Sequence, residues 1–441
     1  MNRTQNMATL LEKIQSKEAR VVVVGIGYVG LPLVVELAHA GYRVTGYDRD
    51  PSKVKQLNAS TSYIEDIKAE DFAEYVKSGK MDASTDESVI KEADCVILCV
   101  PTPLKKTKDP DMSYIEGAAQ TVVRNQHKDM LVVLESTTYP GTTREYLVSE
   151  LLQGGKYTLG KDVHVAFSPE RVDPGNAKFG TRNTPKVVGG CTPACMAVAK
   201  ALYSHIVNTV VDVSSPDAAE MSKLLENTFR AVNIGLVNEF ALICERLGLD
   251  VWEVIGAAAT KPFGFMPFWP GPGLGGHCIP IDPLYLSWKM RGLKMPARFI
   301  ELADAVNTAM PEHVVEITAR ALNEKKKSMK GSKILISGVA YKRDISDFRE
   351  SPAADVIEGL LKRGVEVSYM DSWVPVFKEG EHSFESLKPD TSYAGFDAVI
   401  IVTDHKNIDY VRMAKEADLI IDTRNAMRPY GEGAKATIVR L

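Results

Sequence analysis

The chain lacks the features that define several large functional classes. It has no basic excess: 53 lysines and arginines stand against 57 aspartates and glutamates, a formal charge of −4 at pH 7. A dedicated nucleic-acid binder carries a positive surplus, so no nucleic-acid partner is expected. No apolar run reaches the ~18 residues of a membrane span, so no membrane partner is expected either. Met1 to Arg20 is polar and mixed in charge, unlike a secretory signal. Cysteine is scarce, six in 441 residues and unevenly spaced, so neither a disulfide framework nor a metal site is expected. These absences leave a cytoplasmic protein of small-molecule function, in a reducing compartment where free thiols can do chemistry. The length allows about three domains at roughly 100–200 residues each.

What is present is a strand–helix alternation at both ends. Val21 to Val24 is a short β-branched run of the kind buried in a parallel sheet. A glycine-rich turn follows, then a helix over Leu31 to Ala40, stopped by Gly41, and a strand over Arg43 to Tyr47. Further strands are predicted at Cys95–Val100, Leu131–Glu135 and Val163–Phe167, which together imply a doubly wound α/β domain. Ser215-Pro216-Asp217 is a helix start. Apolar residues keep a helical period from Met221 to Leu247, and Gly248 ends the pattern. A helix this long exceeds one small domain, so it reads as a connector and a dimer spine. After the lysine-rich stretch 323–331 the α/β rhythm restarts, with strands at Lys333–Gly338, Val365–Asp371, Ala398–Thr403 and Leu419–Asp422 and a helix at Ala353–Leu361. The expected domains are 1–212, 213–322 and 323–441.

Gly25, Gly27 and Gly30 form G-x-G-x-x-G between a strand and a helix, with Tyr28 and Val29 inside the turn. The glycines allow a tight turn and close backbone approach to a pyrophosphate at the helix N-terminus. Asp48 ends the next strand, where it can accept hydrogen bonds from ribose hydroxyls and repel a 2′-phosphate. NAD is therefore the expected cofactor, with Arg49 the one residue that suits NADP. Arg49, Lys53, Pro101, Thr102 and Thr137 complete the expected cofactor contacts.

Polar loops follow three later strands: Pro101-Thr102-Pro103, Ser136-Thr137-Thr138 and Ser168-Pro169-Glu170-Arg171. Each could cap a loop, but all lie on the sheet edge that holds the glycine turn. Lys223 and Asn227 share one face of the long helix, where a lysine and an amide can hold an oxyanion. The same spacing suits a solvated lysine beside a packing asparagine. Pro262 to Pro283 holds six prolines and five glycines in 22 residues and suits neither helix nor strand. Within it, Cys278 is a candidate nucleophile. Cys95 and Cys99 read as core, and Cys191, Cys195 and Cys244 as structural. His277 is adjacent to Cys278, but neighbours in sequence usually point apart. Tyr341 to Asp344 and Asp347 to Glu350 suit a phosphate or a salt-bridged loop equally.

Taken together, these residues resemble the UDP-sugar and GDP-sugar 6-dehydrogenase family, from Val21 to about Pro375. The order of Gly25–Gly30, Glu135-Ser136-Thr137, Ser168-Pro169-Glu170, Lys223–Asn227, Gly275-Gly276-His277-Cys278 and Lys342–Arg349 carries the resemblance. It implies two Rossmann-like doubly wound α/β domains joined by a long central helix in a helical domain. It also implies a four-electron oxidation of a sugar primary alcohol to a carboxylate by NAD. Cys278 would carry a thiohemiacetal and then a thioester. Lys223 and Asn227 would stabilise oxyanions, Asp282 and Thr137 would position or activate water, and Glu170 would act in thioester hydrolysis. Glu170, Arg171, Lys223, Asn227, Leu274, Gly275 and Lys342 would contact the UDP-sugar, and Arg349 the dinucleotide.

Departures from the glucose-type pattern at Ile281, Arg171, Pro174 and Lys261-Pro262-Phe263-Gly264 resemble the branch acting on UDP-N-acetylhexosamines. Ser168 to Gly175 and Thr137 to Gly141 look most like UDP-N-acetylglucosamine 6-dehydrogenase, serving surface polysaccharide synthesis. The alternatives are the same chemistry on UDP-N-acetylmannosamine, UDP-N-acetylgalactosamine or UDP-glucose, or a non-catalytic dinucleotide-binding regulator. A homodimer, or higher homo-oligomer, through the central helix is expected.

Overall fold

The structure is a computed structural model that describes residues 9–64, 67–105, 107–173, 176, 178–379 and 382–441. Pro174 and Gly175 lie outside the described residues. The chain forms two compact units, Met1–Glu226 and Asn227–Leu441.

The first unit carries eight strands: β1 (Arg20–Val24), β2 (Arg43–Tyr47), β3 (Met81–Ser84), β4 (Cys95–Leu98), β5 (Met130–Leu134), β6 (Val163–Phe167), β7 (Lys186–Gly190) and β8 (Val210–Val213). They form one sheet in the order β3-β2-β1-β4-β5-β6-β7-β8. Neighbours are parallel except β6 and β7, which run antiparallel through Ala166↔Gly190 and Phe167↔Gly189. Val21 and Val23 enter the core on one face of β1, and Val22 and Val24 the core on the other. Burial on both faces is why the run has no polar alternation. Each such valine contributes roughly 1.5–3 kcal/mol. Strand order reverses at β1, which pairs β2 on one side and β4 on the other. The crevice beyond the carboxyl ends of β1 and β4 is where an open α/β sheet takes a ligand.

The second unit carries β9 (Lys333–Ser337), β10 (Glu366–Met370), a separate hairpin of β11 (Val376–Glu379) and β12 (His382–Glu385), then β13 (Ala398–Ile401), β14 (Leu419–Asp422) and β15 (Thr437–Arg440). Its main sheet is parallel throughout, in the order β10-β9-β13-β14-β15. The fold is thus two Rossmann-like α/β domains connected in the chain by a helical region.

The long helix is Pro216–Leu247, 32 residues, about 48 Å at 1.5 Å per residue. The Ser215 hydroxyl accepts from Ala218 N at 3.2 Å and caps its start. Gly248 ends it at φ 69°, with Leu249 N donating to Cys244 O at 2.9 Å. That left-handed position is one a side chain would strain. Residues 259–281 hold neither helix nor strand. The glycine-rich segment nevertheless ends earlier than expected, because Asp282 and Pro283 open the helix Asp282–Gly292. Proline fits there because the first helical turn uses no N–H. A 27-residue helix, Arg298–Glu324, follows with Pro311 inside it. Among the described residues no helix is long and apolar enough to cross a membrane.

Candidate active site

In the first unit, the glycine turn is shaped by its neighbours' backbone. A Cβ on Gly25, whose φ is 90°, would lie 2.6 Å from the Cys99 carbonyl oxygen. A Cβ on Gly30 would lie 1.8 Å from the Gly25 carbonyl oxygen. Gly27 differs: nothing of the protein lies within 4 Å of its Cβ position. Two glycines close the turn, and the third leaves open space at the start of the helix Gly30–His39. Asp48 accepts from Ile26 N at 3.0 Å and from Lys53 Nζ at 3.3 Å, so the turn itself aims the carboxylate. These residues fit a dinucleotide: a helix N-terminus for the pyrophosphate, an opening at Gly27 and an oriented acid for the ribose. Tyr28 and Arg49 are exposed and Val29 is half-buried. Arg49 lies against the helix Ser113–Asn125, its Nη2 3.3 Å from the Cβ position of Gly117. Pro101 is exposed, and Thr102 and Thr137 are half-buried, each just beyond a strand end.

Both carboxylate oxygens of Glu170 are held. Its Oε1 accepts from Arg171 N at 2.9 Å and Val172 N at 2.7 Å, and its Oε2 from Lys186 Nζ at 3.2 Å. The Lys223 ammonium donates to its backbone carbonyl. Burial opposes ionisation of Glu170, but the Lys186 charge and the backbone N–H donors outweigh it and hold the carboxyl below its ordinary range. Arg171 pairs with Glu226 at 2.8 Å and donates to Pro185 O at 2.7 Å.

Neither Lys186 nor a role for Glu135 emerged from the sequence. Lys186 opens β7 and also bonds Glu135 Oε2 at 2.8 Å, while Tyr203 donates to the other Glu135 oxygen. A lysine beginning an apolar strand was the available signal. Glu220 was also missed. It is buried and accepts from Gly141 N at 2.6 Å, Thr143 N at 2.9 Å and Thr143 Oγ1 at 2.7 Å. Burial pushes its carboxyl up to about 7 against those bonds. Cys95 and Cys99 are buried, and burial raises both thiols; Cys191 is pushed up to about 12 by the same cause.

In the second unit, Cys278 is half-buried and its carbonyl accepts from Asp282 N at 2.7 Å. The turn is thus continuous with the helix Asp282–Gly292. Asp282 is buried, and Asn227 Nδ2 donates to its Oδ2 at 2.5 Å. The glycine loop is clamped by close packing. A Cβ on Gly275 would lie 2.7 Å from the Tyr341 Cβ, and one on Gly276 would lie 2.8 Å from the Tyr341 ring. Asn238 accepts from Gly271 N at 2.9 Å and donates to Asn307 at 2.8 Å. Pro311 lacks the N–H that would reach Asn307 O, and this oxygen lies 3.4 Å from the Cβ position of Gly273. Trp269 stacks on Trp252 with ring centroids 5.6 Å apart.

Leu274 and Lys342 are half-buried. Arg349 pairs with Asp347 at 2.6 Å, its Nη2 lies 3.3 Å from His277 Nδ1, and its carbonyl accepts from Gly276 N at 3.2 Å. Asp347 is held low by Arg349 despite its burial. His277 therefore faces the 347–349 loop. Arg343 pairs with Asp404. The basic stretch is thus an ion-paired loop that also carries Lys342. Asp371, which mirrors Asp48 in outline, spends its carboxylate on Val339 N, Ala340 N and His405 Nε2 at 2.8, 3.2 and 3.1 Å.

Comparison with known proteins decides the family. Three models of the UDP-glucose/GDP-mannose dehydrogenase family match in order: its NAD binding domain at residues 19–207, its central domain at 217–309 and its UDP binding domain at 335–429. The chain belongs to this family. It is an NAD-dependent oxidoreductase, and the regulator alternative is set aside. A UDP-N-acetyl-D-mannosamine dehydrogenase of Methanococcus maripaludis is 33% identical over 421 residues, covering 92% of this chain and 93% of that one. A UDP-N-acetyl-D-glucosamine 6-dehydrogenase of Pseudomonas aeruginosa is 31% identical over 391 residues, covering 88% and 91%. The structure of the UDP-D-ManNAc dehydrogenase of Pyrococcus horikoshii matches with TM-score 0.86 at 32% identity, covering 96% of this chain and 98% of that one.

Proposed function

We propose that this enzyme oxidises the C6 alcohol of UDP-N-acetylmannosamine to the UDP-N-acetylmannosaminuronate. At the level of the family the reaction is NAD-dependent oxidation of a nucleotide-sugar C6 alcohol. The glucosamine epimer was the expectation from the Ser168–Gly175 and Thr137–Gly141 stretches. The relatives named for mannosamine move the reading to the C2 epimer, one of the alternatives already open. UDP-N-acetylglucosamine, UDP-N-acetylgalactosamine and UDP-glucose are the competitors.

The observation that carries the chemistry is Cys278 in a glycine loop clamped by Tyr341, continuous with the buried Asn227–Asp282 pair. NAD supplies the hydride acceptor when bound. In this reading Cys278 holds the aldehyde level as a thiohemiacetal and the acid level as a thioester, so no free aldehyde escapes. Lys223 and Asn227, one helical turn apart, stabilise the oxyanions. Asp282 and Thr137 position water and Glu170 acts in thioester hydrolysis. Arg171, Leu274, Gly275 and Lys342 hold the UDP-sugar, and Arg349 touches the dinucleotide. The product is an activated uronate for surface polysaccharide, made in the cytoplasm.

A homodimer is part of the same reading. Leu225, Phe229, Leu236, Phe240, Ile243 and Leu247 are exposed along the long helix. Apolar residues of that size, repeated along one helix, suit burial against a second copy.

The test is to incubate the protein with NAD+ and each of the four UDP-sugars and follow NADH. Turnover with UDP-N-acetylmannosamine at two NADH per sugar is expected. Turnover confined to another sugar refutes the substrate, and one NADH per sugar refutes the thioester route.

A further inference from the structure

Lys186 is a lysine almost wholly removed from solvent, its side chain 5% exposed. Nothing in the fold requires a charge at the first position of β7. An apolar side chain there would avoid the cost of desolvating an ammonium. Its position has a consistent explanation in its partners. Glu135 lies immediately after β5 and Glu170 three residues after β6, and one ammonium bridges them at 2.8 and 3.2 Å. The two carboxylates are not equivalent. Glu135 is fully enclosed, bonded by Lys186 on one oxygen and Tyr203 on the other. Glu170 keeps partial exposure, with side-chain relative exposure 16%.

We propose that Lys186 is a positioning residue of the reaction: by bridging Glu135 to Glu170 it fixes the Glu170 carboxylate in its ionised form and in one orientation. The inference rests on Glu170 acting in thioester hydrolysis. In that step water forms a bond to the thioester carbon and the carbon–sulfur bond breaks. One water proton passes to Glu170 and the other ends on the released thiolate. Only an ionised Glu170 can take that proton. The Lys186 charge favours ionisation of both acids, but burial dominates at Glu135 and raises it, whereas at Glu170 the same charge, joined by the Val172 N–H and the Lys223 charge, holds the carboxyl low.

The test compares Lys186→Met, Lys186→Arg and Glu170→Gln in the full chain, with NAD+ and UDP-N-acetylmannosamine. The readouts are the kcat–pH profile and intact mass of the protein during turnover. A cation beside a carboxylate lowers its pKa by about 1–3 units, so Lys186→Met should move the acid limb up by ~1–3 pH units. It should also accumulate a covalent sugar-nucleotide adduct on Cys278, as Glu170→Gln should. Lys186→Arg should restore both. If Glu170→Gln accumulates adduct while Lys186→Met has the wild-type limb and no adduct, the Lys186 assignment is overturned and the Glu170 reading stands. If Glu170→Gln turns over normally, the Glu170 reading itself falls. Should Lys186→Met not fold, the Glu135→Gln/Lys186→Met double variant removes the uncompensated buried acid. A wild-type acid limb in that variant overturns the proposal equally.

Discussion

The three glycines of the dinucleotide turn should respond to the same substitution with opposite signs. Gly30→Ala places a methyl 1.8 Å from a backbone oxygen, and neither atom belongs to a flexible side chain. Overpacking of this kind costs about 3 kcal/mol or more. Gly25→Ala adds a backbone conformation, φ 90°, that costs an alanine about 1–2 kcal/mol, besides a 2.6 Å contact. Gly27 lies outside the left-handed region and its Cβ meets no protein atom. Gly27→Ala should therefore be neutral or stabilise the free enzyme by about 0.4–1 kcal/mol, through the unfolded chain. Its cost falls on the cofactor, because the methyl occupies the opening through which a pyrophosphate approaches the backbone. Loss of one hydrogen bond to a charged group is worth about 1.5–3 kcal/mol, or roughly 10–100-fold in NAD+ affinity. Thermal melting with and without NAD+ reads both quantities. For a unit of this size each kcal/mol moves the midpoint by about 2–4 °C. Gly30→Ala should melt about 6–12 °C low, and Gly27→Ala at or slightly above wild type with most of its NAD+-induced rise gone. A Gly27→Ala protein that melts as low as Gly30→Ala, or keeps the full NAD+ rise, refutes the cradle reading.

Three further outcomes are expected. Cys278→Ser should lose net oxidation by more than about 100-fold, in line with loss of a nucleophile, while the NAD+-induced rise in melting temperature persists; near-normal turnover would remove Cys278 from the mechanism. Glu220→Gln should flatten the pH dependence of stability. Because burial raises the folded pKa to about 7, wild type is favoured by proton uptake at low pH and loses that advantage as pH rises through 7. The stability difference from Glu220→Gln should shift by up to about 3 kcal/mol between pH 5 and 8, measured from denaturant midpoints, and parallel curves would contradict the linkage. Phe240→Asp on the exposed helix stripe should yield monomers by sedimentation velocity; an unchanged dimer would place the interface elsewhere.

The strands and the long helix were legible because their determinants are local. Val21 to Val24 is apolar on both faces, and the helix Pro216–Leu247 carries its own stop signals: Ser215 caps one end and Gly248 turns left-handed at the other. The glycine turn was legible because close approaches, to Cys99 O beyond the neighbouring strand and to Gly25 O within the turn, leave only glycine as a fit and so fix the residue type at each point. The helix start at Asp282 was hidden because proline density reads as irregular chain, although a first helical turn tolerates proline.

The networks that hold the proposed reacting groups were not legible. Glu135, Glu170, Lys186 and Tyr203 are spread over 69 positions and meet only because β5, β6 and β7 are neighbours in the sheet. Asn238, Gly271 and Asn307 likewise meet only across the fold. A motif records which group reacts, since the chemistry restricts the residue type at a point. It does not record what aims that group, because a lysine, a backbone N–H or a tyrosine from a remote strand can each do so. The signal that survives in sequence is the misplaced polar residue: a lysine opening an apolar strand at Lys186, and an acid at Glu220 one turn before Lys223 on the same helix. Both are buried away from the water that would otherwise hydrate them, so each must have a partner. In this fold the partners are the loops that follow β5 and β6. Charged residues inside apolar elements are therefore the places to look for the supporting residues that motif reading passes over.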